Sequence, residues 1–152
     1  MTLEELNQYA LTHPETDVDV DKDAVRKAKA LERRGKVVIL EGRIQYHFFP
    51  HSIKLYVKVD FGEGLKRIWA DLQQEHIRNE RNEGRIKSFQ DLKRILELRR
   101  TRDVKRYRKY YGINPYHEKQ YDIVIDTTKN TVEETREEVL QALIPFLKKE
   151  KI

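Results

Sequence analysis

Three short apolar runs set the strongest limit on what this chain can fold into. They are Lys36-Val-Val-Ile-Leu-Glu41, Ile53-Lys-Leu-Tyr-Val-Lys-Val59 and Tyr121-Asp-Ile-Val-Ile-Asp126. Each reads as a strand, and the first has the pattern of a strand covered on both faces. Helical stretches lie around and between them, over 2–12, 22–34, 62–77, 88–111 and 132–148. Strands alternating with helices predict an α/β fold, a parallel sheet with crossover helices. Three strands are few for such a sheet, whose edges need neighbours.

The element boundaries carry their own signals. His13-Pro14 ends the first helix, and Glu15-Thr-Asp-Val-Asp-Val-Asp21 reads as an acidic loop. Gly35 stops the second helix as a residue just past its end. Thr2 with Glu5, and Thr131 with Glu134, each form the spacing of a capping box. The polar stretch His76–Lys87, rich in arginine and asparagine, reads as a mobile insertion.

At 152 residues, 1–152 is expected to be a single domain. A hydrophobic share of 38% predicts a lean core, and a net charge of +5 matters less than where the charges cluster. There is no cysteine, which excludes disulfides, cysteine-ligated metals and thiol nucleophiles. No apolar run approaches the ~20 residues of a membrane span, and no signal peptide precedes the first helix. A soluble, cytoplasmic protein is the expectation. Met1, the only methionine, opens directly onto a helix start, as a true N-terminus or as an internal methionine taken for one.

Several constellations are chemically suggestive. Residues 99–109 hold seven basic residues in eleven, with Arg99, Arg102 and Arg106 near one helix face. Arginine is suited to bidentate recognition of phosphate oxygens. Converging arginines repel unless an anion lies between them. A solvated basic face explains the run equally well. A nucleic-acid patch with Tyr107, Tyr110 and Tyr111 interleaved is a third reading, opposed by the acids elsewhere and the absence of a long positive stripe. Glu41-Gly42-Arg43 and Asp126-Thr127-Thr128 each follow a predicted strand, at the edge where open α/β sheets bind ligands. A plain strand-to-loop glycine and ordinary turn chemistry account for both as well. Asp17, Asp19 and Asp21 lack the glycine and glutamate of a calcium loop, and Pro50 separates His47 from His51 in any helix, so no metal site is expected.

Taken in order along nearly the whole chain, these segments resemble cytidylate kinases, especially the short archaeal type and its bacterial relatives. The segments are Thr2-Leu-Glu-Glu-Leu-Asn-Gln-Tyr-Ala10 with His13-Pro-Glu-Thr-Asp17, Val38-Ile-Leu-Glu-Gly-Arg43, Arg106-Tyr-Arg-Lys-Tyr-Tyr-Gly-Ile113 and Tyr121-Asp-Ile-Val-Ile-Asp-Thr-Thr128. The resemblance implies a P-loop kinase-type parallel sheet with flanking helices. It also implies transfer of the ATP γ-phosphate to CMP or dCMP, with ATP and magnesium as partners and no nucleic acid. Residues 1–34 would form the acceptor-nucleotide region and 62–98 the lid region. Arg43, with Gly42, would bind the monophosphate. Arg99 and Arg106 would contact the monophosphate and the transferring phosphoryl group. Arg67 and Arg81 would reach the ATP side, and Asp126, Thr127 and Thr128 would border the adenine. Asp17 and Asp21 match acidic positions near the acceptor. Where bacterial members often place aspartate after Gly-Arg, this chain has Ile44, so CMP, dCMP and UMP all stay open as acceptors.

One departure stands beside the match. No Gly-x-x-x-x-Gly-Lys-Ser/Thr loop occurs in the 152 residues. The backbone amides, lysine and hydroxyl that hold ATP phosphates and magnesium in such kinases are therefore not supplied by that motif. The chain reads as an N-terminally truncated member, missing its first two strands, including the central one. Loss of that strand leaves edges unpaired at about 1–3 kcal/mol per buried group. Total stability is only about 5–15 kcal/mol, so the chain alone is expected to be unstable, to aggregate, or to close its sheet differently. It is expected to have little or no kinase activity. The alternative is a P-loop-less protein that binds nucleotide or phosphate without catalysis.

Overall fold

The computed structural model describes residues 15–74 and 86–149, with side chains described for 22–74 and 86–147. The expected helix over 2–12, most of the polar insertion and Arg81 lie outside the described residues. The chain divides into two compact units, Met1–Ser52 and Ile53–Ile152.

In the first unit, helix α1 runs from Glu15 to Glu32. The acidic stretch expected as a loop is thus its opening turns. Acidic side chains are favourable near a helix N-terminus, where the backbone dipole is positive. No glycine or proline interrupts the run from Glu15 to Glu32. Within α1, Asp23 pairs with Lys27 at 2.8 Å and with Arg26. The hydrogen bond from Lys27, then that from Arg26, holds the Asp23 carboxyl below its usual range. The helix ends as expected at Gly35, whose φ of 70° is left-handed. Lys36 N–H donates to the Leu31 carbonyl at 3.2 Å and Gly35 N–H to that of Glu32 at 2.8 Å. These two bonds are the Schellman pattern that satisfies the last carbonyls.

The strand expected over 36–41 is not formed. Among the described residues this segment joins no ladder, and Val37 and Ile39 are 95% and 92% exposed. Apolar patterning supplies the material for a strand, but strand backbone needs a partner to take its N–H and C=O groups. The chain then turns through a short 3-10 helix, Gln45–Phe48. Ala28 of α1 and Ile44 are the buried residues here, and Lys29 lies over the Phe49 ring at 5.6 Å.

In the second unit, β1 (Leu55–Lys58) pairs in parallel with β2 (Ile123–Asp126), Leu55 opposite Ile123 and Lys58 opposite Asp126. Between them come α2 (Phe61–Leu72) and α3 (Phe89–Tyr111), and α4 (Val132–Lys149) follows β2. The expected parallel pairing with helical crossover is therefore present as a two-stranded sheet among the described residues. Asp60 caps α2, accepting from Glu63 N–H at 3.1 Å, and Ser88 caps α3, accepting from Asp91 N–H at 3.1 Å. Gly112, at φ 70°, closes α3 by donating to the Arg108 carbonyl at 3.1 Å. Thr131 and Glu134 make the expected reciprocal capping box on α4: Thr131 N–H donates to the Glu134 carboxylate at 2.8 Å, and Glu134 N–H donates to Thr131 Oγ1 at 3.2 Å.

The main core lies between α2 and α3. Leu65, Leu72 and Leu92 are buried there, with Phe61, Ile68, Trp69, Ile86, Phe89 and Leu96 packed around them. Trp69 meets Phe89 edge to face at 5.9 Å. Ile123 and Ile125 bury alternate positions of β2, and Tyr56 stacks on Tyr121 at 4.8 Å. The core is lean, in keeping with the composition.

Candidate functional site

The carboxyl ends of β1 and β2 carry a dense polar network, at the edge where parallel sheets present ligand sites. The backbone continues the pairing past the strands, with Thr127 N–H donating to the Lys58 carbonyl at 2.8 Å. The Thr127 hydroxyl donates to the same carbonyl at 3.0 Å, which explains how a polar side chain is buried here. Asp126 Oδ1 accepts from the Thr128 hydroxyl and, at 3.0 Å, from its N–H. Those bonds hold the Asp126 carboxyl below its ordinary value. Thr128 Oγ1 in turn accepts from Asp60 N–H at 2.8 Å, tying the turn after β2 to the start of α2.

Arg67 completes this network. Its Nη2 donates to the carbonyls of Thr127 and Thr128, at 2.9 and 3.0 Å, while Nε donates to Glu63 at 3.3 Å. The structure thus brings together Arg67, Asp126, Thr127 and Thr128, which lie on two distant stretches of sequence. Arg67 here holds the turn in place. Below them Lys58 reaches Glu118 at 2.8 Å and Asp126 at 3.7 Å. Its ammonium is raised above the ordinary lysine value, first by the hydrogen bond to Glu118.

A second cluster lies on α3. Arg99 and Arg106 are both half-buried, on the same face as Asp103, which is only 4% exposed. Arg106 Nη2 donates to Asp103 Oδ1 at 3.2 Å and to the Tyr107 hydroxyl at 2.8 Å, and its guanidinium lies over the Tyr107 ring. Tyr116 donates to the other Asp103 oxygen at 3.4 Å. The basic run therefore carries its own anion. Sequence reasoning names the arginines and misses Asp103. The available signal is an acid four residues after Arg99 and three before Arg106, the spacing of helical neighbours. Arg102, expected near the same face, is exposed.

The remaining predicted residues belong to the first unit. Arg43 and Gly42 are exposed. The space beside Gly42 is taken by the Gln45 side chain, whose Oε1 lies 1.9 Å from where a Cβ would stand. That oxygen accepts from Ile44 N–H at 3.1 Å. Asp17 and Asp21 are one turn apart on α1, not in a loop. No cluster of three or more histidine, aspartate or glutamate side chains suited to a metal occurs among the described residues.

Comparison with known proteins decides the family. The cytidylate kinase of Methanopyrus kandleri is 31% identical over 152 residues, covering 99% of this chain and 74% of its own length. The chain belongs to the cytidylate kinase family. Cytidylate kinases of Methanocaldococcus jannaschii and Pyrococcus furiosus, each 34% identical, align with 88% and 85% of the chain. The chain spans 67% and 58% of those two cytidylate kinases. No family-level sequence profile and no solved structure matches it. No helix among the described residues is long and apolar enough to cross a membrane.

Proposed function

We propose that this chain is the acceptor-binding and phosphoryl-stabilising part of a CMP or dCMP kinase. The observation that carries the reading is the in-order alignment with archaeal cytidylate kinases over almost all of the chain. The polar network at the strand ends and the arginines of α3 support it. Arg99 and Arg106 take the monophosphate and the moving phosphoryl group, with Asp103 holding Arg106 in its rotamer. Arg43 and Gly42, with Asp17 and Asp21, serve the acceptor. Arg67 fixes the turn Asp126-Thr127-Thr128, which borders the ATP base, and Arg81 belongs to the lid. Residues 1–34 form the acceptor region and 62–98 the lid of a single kinase-like domain.

Phosphoryl transfer asks the protein for in-line positioning, charge stabilisation and exclusion of water. Arginines supply charge that does not titrate away. Magnesium and ATP enter as the family's partners. Magnesium at such sites is held by substrate phosphates and water with one or two protein oxygens.

A second reading is favoured by one specific observation, the absence of a phosphate-loop motif in the 152 residues. In that reading the polypeptide, by itself, binds the nucleotide and does not turn it over. A coupled ADP-release assay with CMP, dCMP and UMP tests turnover by this polypeptide directly. Background rates with all three acceptors are expected of this 152-residue polypeptide. Sustained, CMP-dependent release of ADP would establish a complete enzyme and remove the non-catalytic reading.

A further inference from the structure

Helix α3 has two basic faces, and the kinase reading uses only one. At about 100° per residue, Arg99, Asp103 and Arg106 share one side, while Thr101, Val104, Lys105 and Arg108 fall on the opposite side with Arg100 at its border. Arg100, Thr101, Val104, Lys105 and Arg108 together form an open surface on this one helix. Three of these five are cations and none is an acid. Arg100, Lys105 and Arg108 are exposed, and no described carboxylate forms a salt bridge with any of them. The carboxylates of α3 are engaged elsewhere: Asp91 with Arg94, Glu97 with Lys93, Asp103 with Arg106.

We infer that this outer face of α3 binds the phosphodiester backbone of a single-stranded nucleic acid. Three features select that partner. The cations are strung over about 12 Å of helix, eight residue-to-residue steps at a rise of about 1.5 Å, which is longer than one phosphate and suits successive ones. The Arg100 guanidinium lies over the Tyr116 ring, 4.6 Å from its centroid, and a planar guanidinium is a group on which a base can stack. Half-buried Val104 places an apolar patch between the charges. A single strand follows such a short basic surface with its backbone while its bases meet flat or apolar groups. The kinase resemblance accounts for Arg99 and Arg106 and leaves this face unexplained. Binding at this face does not depend on CMP turnover.

The test is fluorescence anisotropy of a fluorescein-labelled 15-nucleotide oligo-dT with the full chain at low salt. Saturable binding is expected, with log affinity falling against log salt at a slope of about −2 for three phosphate contacts. R100E, K105E and R108E should each weaken it about fivefold or more, whereas K129E, an equal charge change on an exposed loop residue, should alter it less than twofold. CMP should not displace the oligonucleotide. Absence of saturable binding at low salt would overturn the proposal, as would equal losses from K129E and the three α3 variants. Displacement by polyglutamate as effective as displacement by unlabelled oligo-dT would also overturn it, by showing a general polyanion surface.

Discussion

At the scale of single residues, two charged side chains hold the site together by different means. Arg67 satisfies two backbone carbonyls of the turn after β2 and pairs with Glu63. Replacing it by leucine removes charge-assisted hydrogen bonds whose net value is about 1.5–3 kcal/mol each when buried and less when exposed. With the side chain 41% exposed, Arg67→Leu is expected to cost about 1–2 kcal/mol in urea unfolding. Asp103 is the more critical residue because it is buried and serves Arg106 and Tyr116 together. Breaking a buried pair leaves the surviving charge uncompensated. Asp103→Ala should therefore cost about 2–3 kcal/mol and weaken CMP binding as Arg106 loses its rotamer. Unchanged stability in either variant would show that these contacts are dispensable.

At the scale of elements, caps decide where helices begin and end. Gly112 has nothing within 4 Å of the position a Cβ would take, so Gly112→Ala tests left-handed backbone alone. A cost of about 1 kcal/mol is expected from thermal or urea unfolding. The Thr131–Glu134 box adds a pH dependence. The hydrogen bond from the Thr131 backbone, then that from its hydroxyl, lowers the Glu134 carboxyl below its ordinary value. A depressed carboxylate stabilises the fold above its unfolded value, about 4.3, and that contribution is lost as pH falls through the lower folded value. Circular dichroism should show helix loss in that acid range, and Glu134→Gln should remove this component.

These caps are legible in sequence because each depends on residues three or four apart. Gly35, the Thr131–Glu134 box and the spans of α3 and α4 follow from local chemistry, whereas α2, expected over 62–77, ends at Leu72. Asp17 and Asp21 read as loop in sequence yet lie in α1, because alternating Asp and Val imitates no helical stripe while the dipole favours acids at a helix start. The Arg67 contact to Thr127 and Thr128 spans sixty residues, and no periodicity announces such a contact. Asp103 is hidden inside a run whose positive charge dominates any reading by composition.

At the scale of the whole molecule, the segment 36–41 shows the limit of pattern. Its apolar run is that of a covered strand, yet Val37 and Ile39 are exposed and unladdered among the described residues. Strand formation is a property of neighbours, which a local pattern does not contain. Val57 and Val59 of the sheet region are also 49% and 40% exposed. A two-stranded sheet over a small core is marginal. Purified 152-residue chain is expected to unfold in a broad, concentration-dependent thermal transition. A sharp transition of a monomer, independent of concentration, would contradict this. Ligand that binds only the folded state raises the midpoint, so CMP should shift it upward.

Calorimetric titration of CMP into the 152-residue chain is the most direct measurement. Saturable binding at one site is predicted, weakened about tenfold or more when Arg99 or Arg106 is replaced by alanine. No saturable heat from the folded chain, or an affinity unchanged in both variants, would contradict the assignment of an acceptor site to α3.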